Sequence, residues 1–154
     1  IIIMKKQYQI TREGQKELET ELSELKARRG EVADKIAEAR DFGDLSENAE
    51  YDAAREEQGL LETRISEIEE ILNNAELIKG GSKKAISLGS RVQLTADGKN
   101  FSYVIVGPVE ADPLEGKISN ESPLGVALFG KKVGDSATIN TPKGDVTYSI
   151  VQIG

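Results

Sequence analysis

The chain has 154 residues, room for one ordinary domain or two small ones, and a formal net charge of −7. It contains neither cysteine nor histidine, which excludes a disulfide framework, a zinc or thiolate site, a histidine general base and a serine–histidine triad. Any chemistry must come from carboxylates, lysines, hydroxyls or a cofactor borrowed from another molecule. No apolar run approaches membrane-spanning length and no secretory signal pattern is present, so a cytoplasmic protein without a membrane partner is expected. The opening Ile1-Ile2-Ile3 before Met4 is set aside as a start-site remnant. A net acidic chain also argues against a general nucleic-acid binder, which would show a basic face. The acid is concentrated in one half: residues 1–78 hold 11 Lys+Arg against 20 Asp+Glu, and residues 79–154 hold 9 against 7.

From Thr11, a predicted N-cap, to about Arg40 the apolar residues follow coiled-coil spacing: Leu18, Leu22, Leu25, Val32, Ile36 and Ala39, with Arg29 filling one seam slot. A second stretch repeats it with Ala54, Gln58, Leu61, Ile65, Ile68, Leu72 and Ala75. Pairing Leu18 with Leu72, Leu22 with Ile68, Leu25 with Ile65, Arg29 with Leu61, Val32 with Gln58 and Ile36 with Ala54 gives position numbers of constant sum. That is the condition for antiparallel pairing within one chain. It centres the turn on Leu45, inside the only nearby turn pattern, Asp41-Phe42-Gly43-Asp44-Leu45-Ser46. Gly43 suits the end of the first helix and Asp44 or Ser46 the cap of the second. The arm spans roughly 40 Å at about 1.5 Å per residue. Its layers are large near the base and small or polar near the tip, where burial contributes less.

Residues 79–90 read as a linker, so the predicted division is an arm over 4–78, the linker, and a second domain over 91–154. That second domain reads as α+β with an antiparallel sheet, from strands over Arg91–Ala96, Phe101–Val106, Ala137–Asn140 and Val146–Ile153. The run from Ser122 to Gly130 reads as one short helix with Ser122 as N-cap, Pro123 as its first residue and Gly130 just past its end. Two phosphate-loop decoys fall away. Gly125 to Lys131 lacks the required hydroxyl residue, since Lys132 stands there, and Gly80-Gly81-Ser82-Lys83-Lys84 is a flexible basic stretch.

The tip is dense in acid, with Asp41, Asp44, Glu47, Glu50 and Asp52. Asp44 followed by Glu47 has the spacing of a capping box, both carboxylates favoured by the positive end of a helix. The same spacing lets both face outward at the end of the arm. An EF-hand is excluded, because a loop starting at Asp41 would need glycine where Ser46 stands and glutamate where Asp52 stands. Two carboxylates alone make a weak Mg²⁺ site but could complete one supplied mostly by another molecule. Lys26, Arg28, Lys35, Arg40 and Arg55 read as solvated cations paired with nearby acids. Arg40 and Arg55, nearest the tip, could instead face an RNA phosphate.

At the tip the sequence resembles the GreA-type transcript-cleavage factors. The resemblance is carried by the stretch from Ile36 through Asp41-Phe42-Gly43-Asp44-Leu45-Ser46-Glu47-Asn48-Ala49-Glu50-Tyr51 to Glu56. In the second domain it is carried by Ile118-Ser119, Ser122-Pro123, Gly130-Lys131, Gly134-Asp135 and Thr141-Pro142-x-Gly144. It implies a coiled-coil hairpin followed by an FKBP-like domain. It implies an arm that enters the secondary channel of a backtracked bacterial RNA polymerase, where the tip acids help hold a second Mg²⁺ and a water while the polymerase hydrolyses its own extruded RNA 3′ end. The family's metal-binding acids fall on Asp44 and Glu47. Arg55 falls on a basic position of the arm, and Ser122-Pro123 on the loop that grips a coiled coil at the channel rim. On this reading the chain is a monomer and no enzyme by itself, and Mg²⁺ is shared with the polymerase rather than held by the isolated protein. Two rivals compete: a helical-hairpin adaptor without catalytic role, and a prolyl isomerase suggested by the FKBP-like fold alone.

Overall fold

A computed structural model describes residues 7–41, 48–79 and 83–154. The chain divides into two compact units, one of residues 15–74 and one of residues 1–14 with 75–154. The elements run β1 (Tyr8–Ile10), α1 (Arg12–Asp41), α2 (Ala49–Asn73), β2 (Ala75–Leu77), β3 (Arg91–Ala96), β4 (Lys99–Val106), β5 (Lys117–Ser119), α3 (Pro123–Leu128), β6 (Ser136–Thr141) and β7 (Gly144–Ile153). Two 3₁₀ turns, Pro108–Glu110 and Pro113–Glu115, separate β4 from β5.

The helical unit is an antiparallel hairpin. Val32, Ile36, Ala54, Leu61 and Ile65 form its buried core, with Leu22, Leu25 and Tyr51 packed against it. Ion pairs across the hairpin run Lys26–Glu69, Arg29–Glu62 and Lys35–Glu57, partner numbers falling as those on α1 rise. The seam differs from the expected one in three places. Ile71 rather than Leu72 is buried near the end of α2. Ala75 lies in β2. The distal half is not uniformly small, because Ile36 and Tyr51 pack there. Ile65 is 2% exposed, so Ile65→Ala is expected to cost the hairpin about 2–5 kcal/mol, read as a lower midpoint of helix loss in denaturant.

The expected domain boundaries shift at both ends of the hairpin. Residues 8–10 pair in parallel with residues 75–77 and belong to the unit that contains the larger sheet. The predicted linker also shortens from its C-terminal side. Ile86 is 1% exposed and lies in the core of the second unit, while Ser90 is buried and its hydroxyl accepts the Ser87 N–H at 2.9 Å.

The five-stranded sheet has the order β5-β4-β3-β7-β6. It is mixed rather than antiparallel, because β4 and β5 run parallel. After Val106 the chain makes two proline-started turns and returns alongside β4 in the same direction. The β3–β4 hairpin turns on Asp97-Gly98, both at positive φ, the pairing that suits the twist of two antiparallel strands. In β3 alternation places Val92, Leu94 and Ala96 inward, and these strands bury Ile105, Ile118, Leu128, Ala137, Ile150 and Ile153. Phe101 stacks on Tyr103 at a ring separation of 5.9 Å and meets Tyr148 edge-on at 5.7 Å.

Candidate functional site at the hairpin end

α1 ends at Asp41 and α2 begins at Ala49 with Asn48 as N-cap. Asn48 serves both helices. Its side-chain oxygen accepts the Tyr51 N–H at 3.1 Å, and its amide nitrogen donates to the Ala39 carbonyl in the last turn of α1. The cap expected from Asp44 or Ser46 is therefore filled by Asn48. An amide can donate and accept at once, which a carboxylate cannot. Asp44 and Glu47 themselves, with Gly43, lie outside the described residues; they belong to the segment joining Asp41 to Asn48. Glu50 and Asp52 are exposed in the first turn of α2, where the helix dipole favours them. Among the described residues no group of three or more acidic side chains is gathered tightly enough to hold a metal ion.

The basic residues of the arm fall into two sets. Glutamates neutralise Lys26, Arg28, Arg29, Lys35 and Arg64. Arg29, which fills a seam slot in the expected pairing, is exposed and grips Glu62 through two bonds of 2.8 and 2.9 Å. Arg40 and Arg55, both exposed, have no carboxylate partner among the described residues. Among the described residues, Arg55 donates to Gln58 at 3.3 Å.

Arg64 holds Glu21 in a similar fork at 2.7 and 3.0 Å. The hydrogen bond from Arg64 is the main cause that lowers the Glu21 carboxyl below its ordinary value, outweighing its partial desolvation. A lowered folded pKa stabilises the hairpin above the unfolded carboxylate value of about 4.3, and that stability is lost as pH falls through the folded value. The pair is largely solvent-screened and worth about 0.2–1 kcal/mol. Thermal melts followed by helix signal are expected to fall as pH drops below about 4.3, and part of that fall should vanish in Glu21→Gln.

The second cluster sits at α3. Ser122 is its N-cap: the hydroxyl accepts the Gly125 N–H at 3.1 Å and donates to the Ser119 carbonyl at 2.7 Å. Pro123 is the first helical residue and is exposed, and Gly130 follows the Phe129 C-cap at φ 81°. Val126 and Phe129 are 63% and 48% exposed, so an apolar surface continues from Pro123 along the short helix. Sequence reading missed these two, because an amphipathic run does not reveal which of its apolar residues face outward.

Residues 8–77 match the family model described as transcription elongation factor, N-terminal, and residues 81–154 match the one described as transcription elongation factor, GreA/GreB, C-term. Transcription elongation factor GreA of Macrococcus caseolyticus is 50% identical over 97% of this chain and 98% of its own. That of Bacillus licheniformis is 48% identical over 96% and 97%. The chain belongs to the GreA/GreB family. Among solved structures, GreA factor homolog 1 of Thermus thermophilus is similar to this GreA/GreB chain at 33% identity, covering 97% of this chain and 99% of that one, with a TM-score of 0.46. The first of these matches ends at residue 77, the last of β2, and the second begins at residue 81.

Proposed function

We propose that this chain is a transcription elongation factor that acts on a backtracked RNA polymerase, entering its secondary channel with the hairpin end and stimulating hydrolysis of the extruded RNA 3′ end by the polymerase. Family membership over nearly the whole chain supports the coarse statement. The finer one is carried by the end of the hairpin, where the segment holding Asp44 and Glu47 is flanked by Arg40 and Arg55, two arm cations not neutralised by a carboxylate among the described residues.

The division of labour follows from side-chain chemistry. Asp44 and Glu47 supply hard oxygen donors of the kind Mg²⁺ accepts, one or two carboxylates completing a shell of water and phosphate. The two carboxylates would help hold an ion shared with the polymerase, and the chemistry such an ion would supply is a lowered pKa for a water bound to it. Arg40 and Arg55 face the RNA phosphates, and the forked Arg29–Glu62 and Arg64–Glu21 pairs brace the stalk behind them. The acidic arm suits a channel of opposite charge. In the second unit, Ser122 sets the start of α3 and Pro123, with the exposed Val126 and Phe129, docks on the coiled coil at the channel rim. The Ser122 hydroxyl is already committed as donor and acceptor inside the chain, so its part in docking is to hold Pro123 in place.

The test adds the full chain and Mg²⁺ to stalled, backtracked polymerase and follows RNA length. Shortening from the 3′ end is the expected result. Unchanged RNA at a concentration that saturates polymerase binding would leave the hairpin as a non-catalytic adaptor.

A further inference from the structure

The root of α1 is capped twice, and only one of the caps is local. Thr11 Oγ1 accepts the Gly14 N–H at 3.0 Å, an ordinary N-cap bond. The same hydroxyl donates to one carboxylate oxygen of Glu110 at 2.5 Å, and the Thr11 N–H donates to the other at 2.8 Å. Glu110 stands 99 residues later in the chain, at the end of the Pro108–Glu110 turn. The neighbourhood is built for this approach. A Cβ at Gly14 would lie 2.5–2.9 Å from three atoms of the Glu110 carboxyl group, and one at Gly107 would lie 2.6 Å from the Gln9 carbonyl oxygen. Ile10, just before the cap, is fully buried, and its carbonyl accepts the Ile78 N–H at 2.8 Å.

A helix needs no remote carboxylate to start, since Thr11 alone caps it. We infer that Glu110 is a positioning residue, a latch that holds the first turn of α1 within the unit of residues 1–14 and 75–154, so that the helix leading toward Asp44 and Glu47 starts from a fixed root. The inference rests on the function proposed above. Leverage gives the latch its importance. α1 has 30 residues, about 45 Å at about 1.5 Å each, so a root free to tilt by about 10° would carry the far end through about 8 Å. Productive ligand geometry tolerates about 0.5 Å.

The test compares Glu110→Ala, Gly14→Ala and the double variant in the full chain. In cleavage assays on backtracked polymerase, each single variant is expected to lower the maximal rate at saturating factor about tenfold or more, as misplacement of reacting groups does. The concentration for half-saturation should stay unchanged, which a merely structural defect would not preserve. Removing the Glu110 carboxyl frees the space that an alanine at residue 14 needs. Gly14→Ala is therefore expected to add no further loss in the Glu110→Ala background. In the free protein, hydrogen exchange of the Thr11 and Gly14 amides should rise in both single variants. Wild-type maximal rates in both, or losses that simply add in the double variant, would overturn the latch. If the wild-type chain itself gave no cleavage, the proposed function would fall, and the exchange measurements would still decide whether Glu110 holds the helix root.

Discussion

Asp44→Asn and Glu47→Gln are each expected to reduce polymerase-dependent RNA cleavage by about a hundredfold, with binding to polymerase unchanged. A metal ion that polarises an oxygen or generates hydroxide contributes several kcal/mol to the transition state. Losing one charged ligand from a shell that the chain only completes should forfeit about 3 kcal/mol, or about two orders of magnitude in rate. Binding should survive because docking is assigned to the α3 region, far away in sequence. The isosteric amides matter. They keep side-chain size and can still accept hydrogen bonds, so a capping role would lose little. The structure already weakens the capping alternative, since Asn48 caps α2. The measurement is single-turnover RNA shortening with titrated Mg²⁺, and the variants should need more of the ion. Normal rates in both amide variants at ordinary Mg²⁺ would remove the carboxylates from the mechanism.

The hairpin was legible because its information is periodic. Val32, Ile36, Ala54, Leu61 and Ile65 recur at helical spacing, and their constant-sum pairing predicts an antiparallel partner without any long-range knowledge. The Asp97-Gly98 turn and the Ser122-Pro123 helix start were equally legible, since a dipeptide or a cap encodes its own local geometry. What escaped is short and remote. β1 and β2 have three residues each, too few for alternation to register, and the whole hairpin lies between them in the sequence. β5 is as short, and its parallel pairing turned an expected antiparallel sheet into a mixed one. Ile86 reads as linker from its glycine, serine and lysine neighbours, although backbone bonds with Gly130 and Lys131 hold it in the core. Local sequence does not separate Asn48 from Asp44 and Ser46, because all three types cap helices. Only the position of the Ala39 carbonyl favours a side chain that also donates. The Glu110 contact with Thr11 has no local trace at all, as is usual for a carboxylate that serves a distant helix.

Gly125→Ala is expected to produce a defect of the opposite kind, in docking rather than in chemistry. A Cβ there would lie 1.9 Å from the Ser119 carbonyl oxygen, 2.8 Å from its carbon and 3.0 Å from the Asn120 Cα. All three are backbone atoms, so no rotamer change can make room. The Ser119 oxygen is also the acceptor for both the backbone N–H and the hydroxyl of Ser122. Pushing α3 off β5 would break those two hydrogen bonds, loosen the cap on Gly125 and pull at Leu128, which is fully buried in the sheet core. Overpacking costs about 1–3 kcal/mol and occasionally more, and a lost cap adds about 1 kcal/mol, so a loss of about 3–4 kcal/mol is expected for this unit. Hydrogen exchange at the Ile105 amide, bonded to the Ser90 carbonyl at 3.0 Å, should accelerate, while exchange in the Leu61–Ile65 stretch of the hairpin stays as it was. Because Pro123, Val126 and Phe129 move with the helix, more factor should be needed for half-maximal cleavage, with the rate recovering at saturation. Carboxylates in the segment joining α1 to α2 would thus control how fast a bound complex reacts, and a glycine in the other unit how readily that complex forms. Weakened cleavage at saturating Gly125→Ala with unaltered half-saturation would mean that α3 is not the docking element.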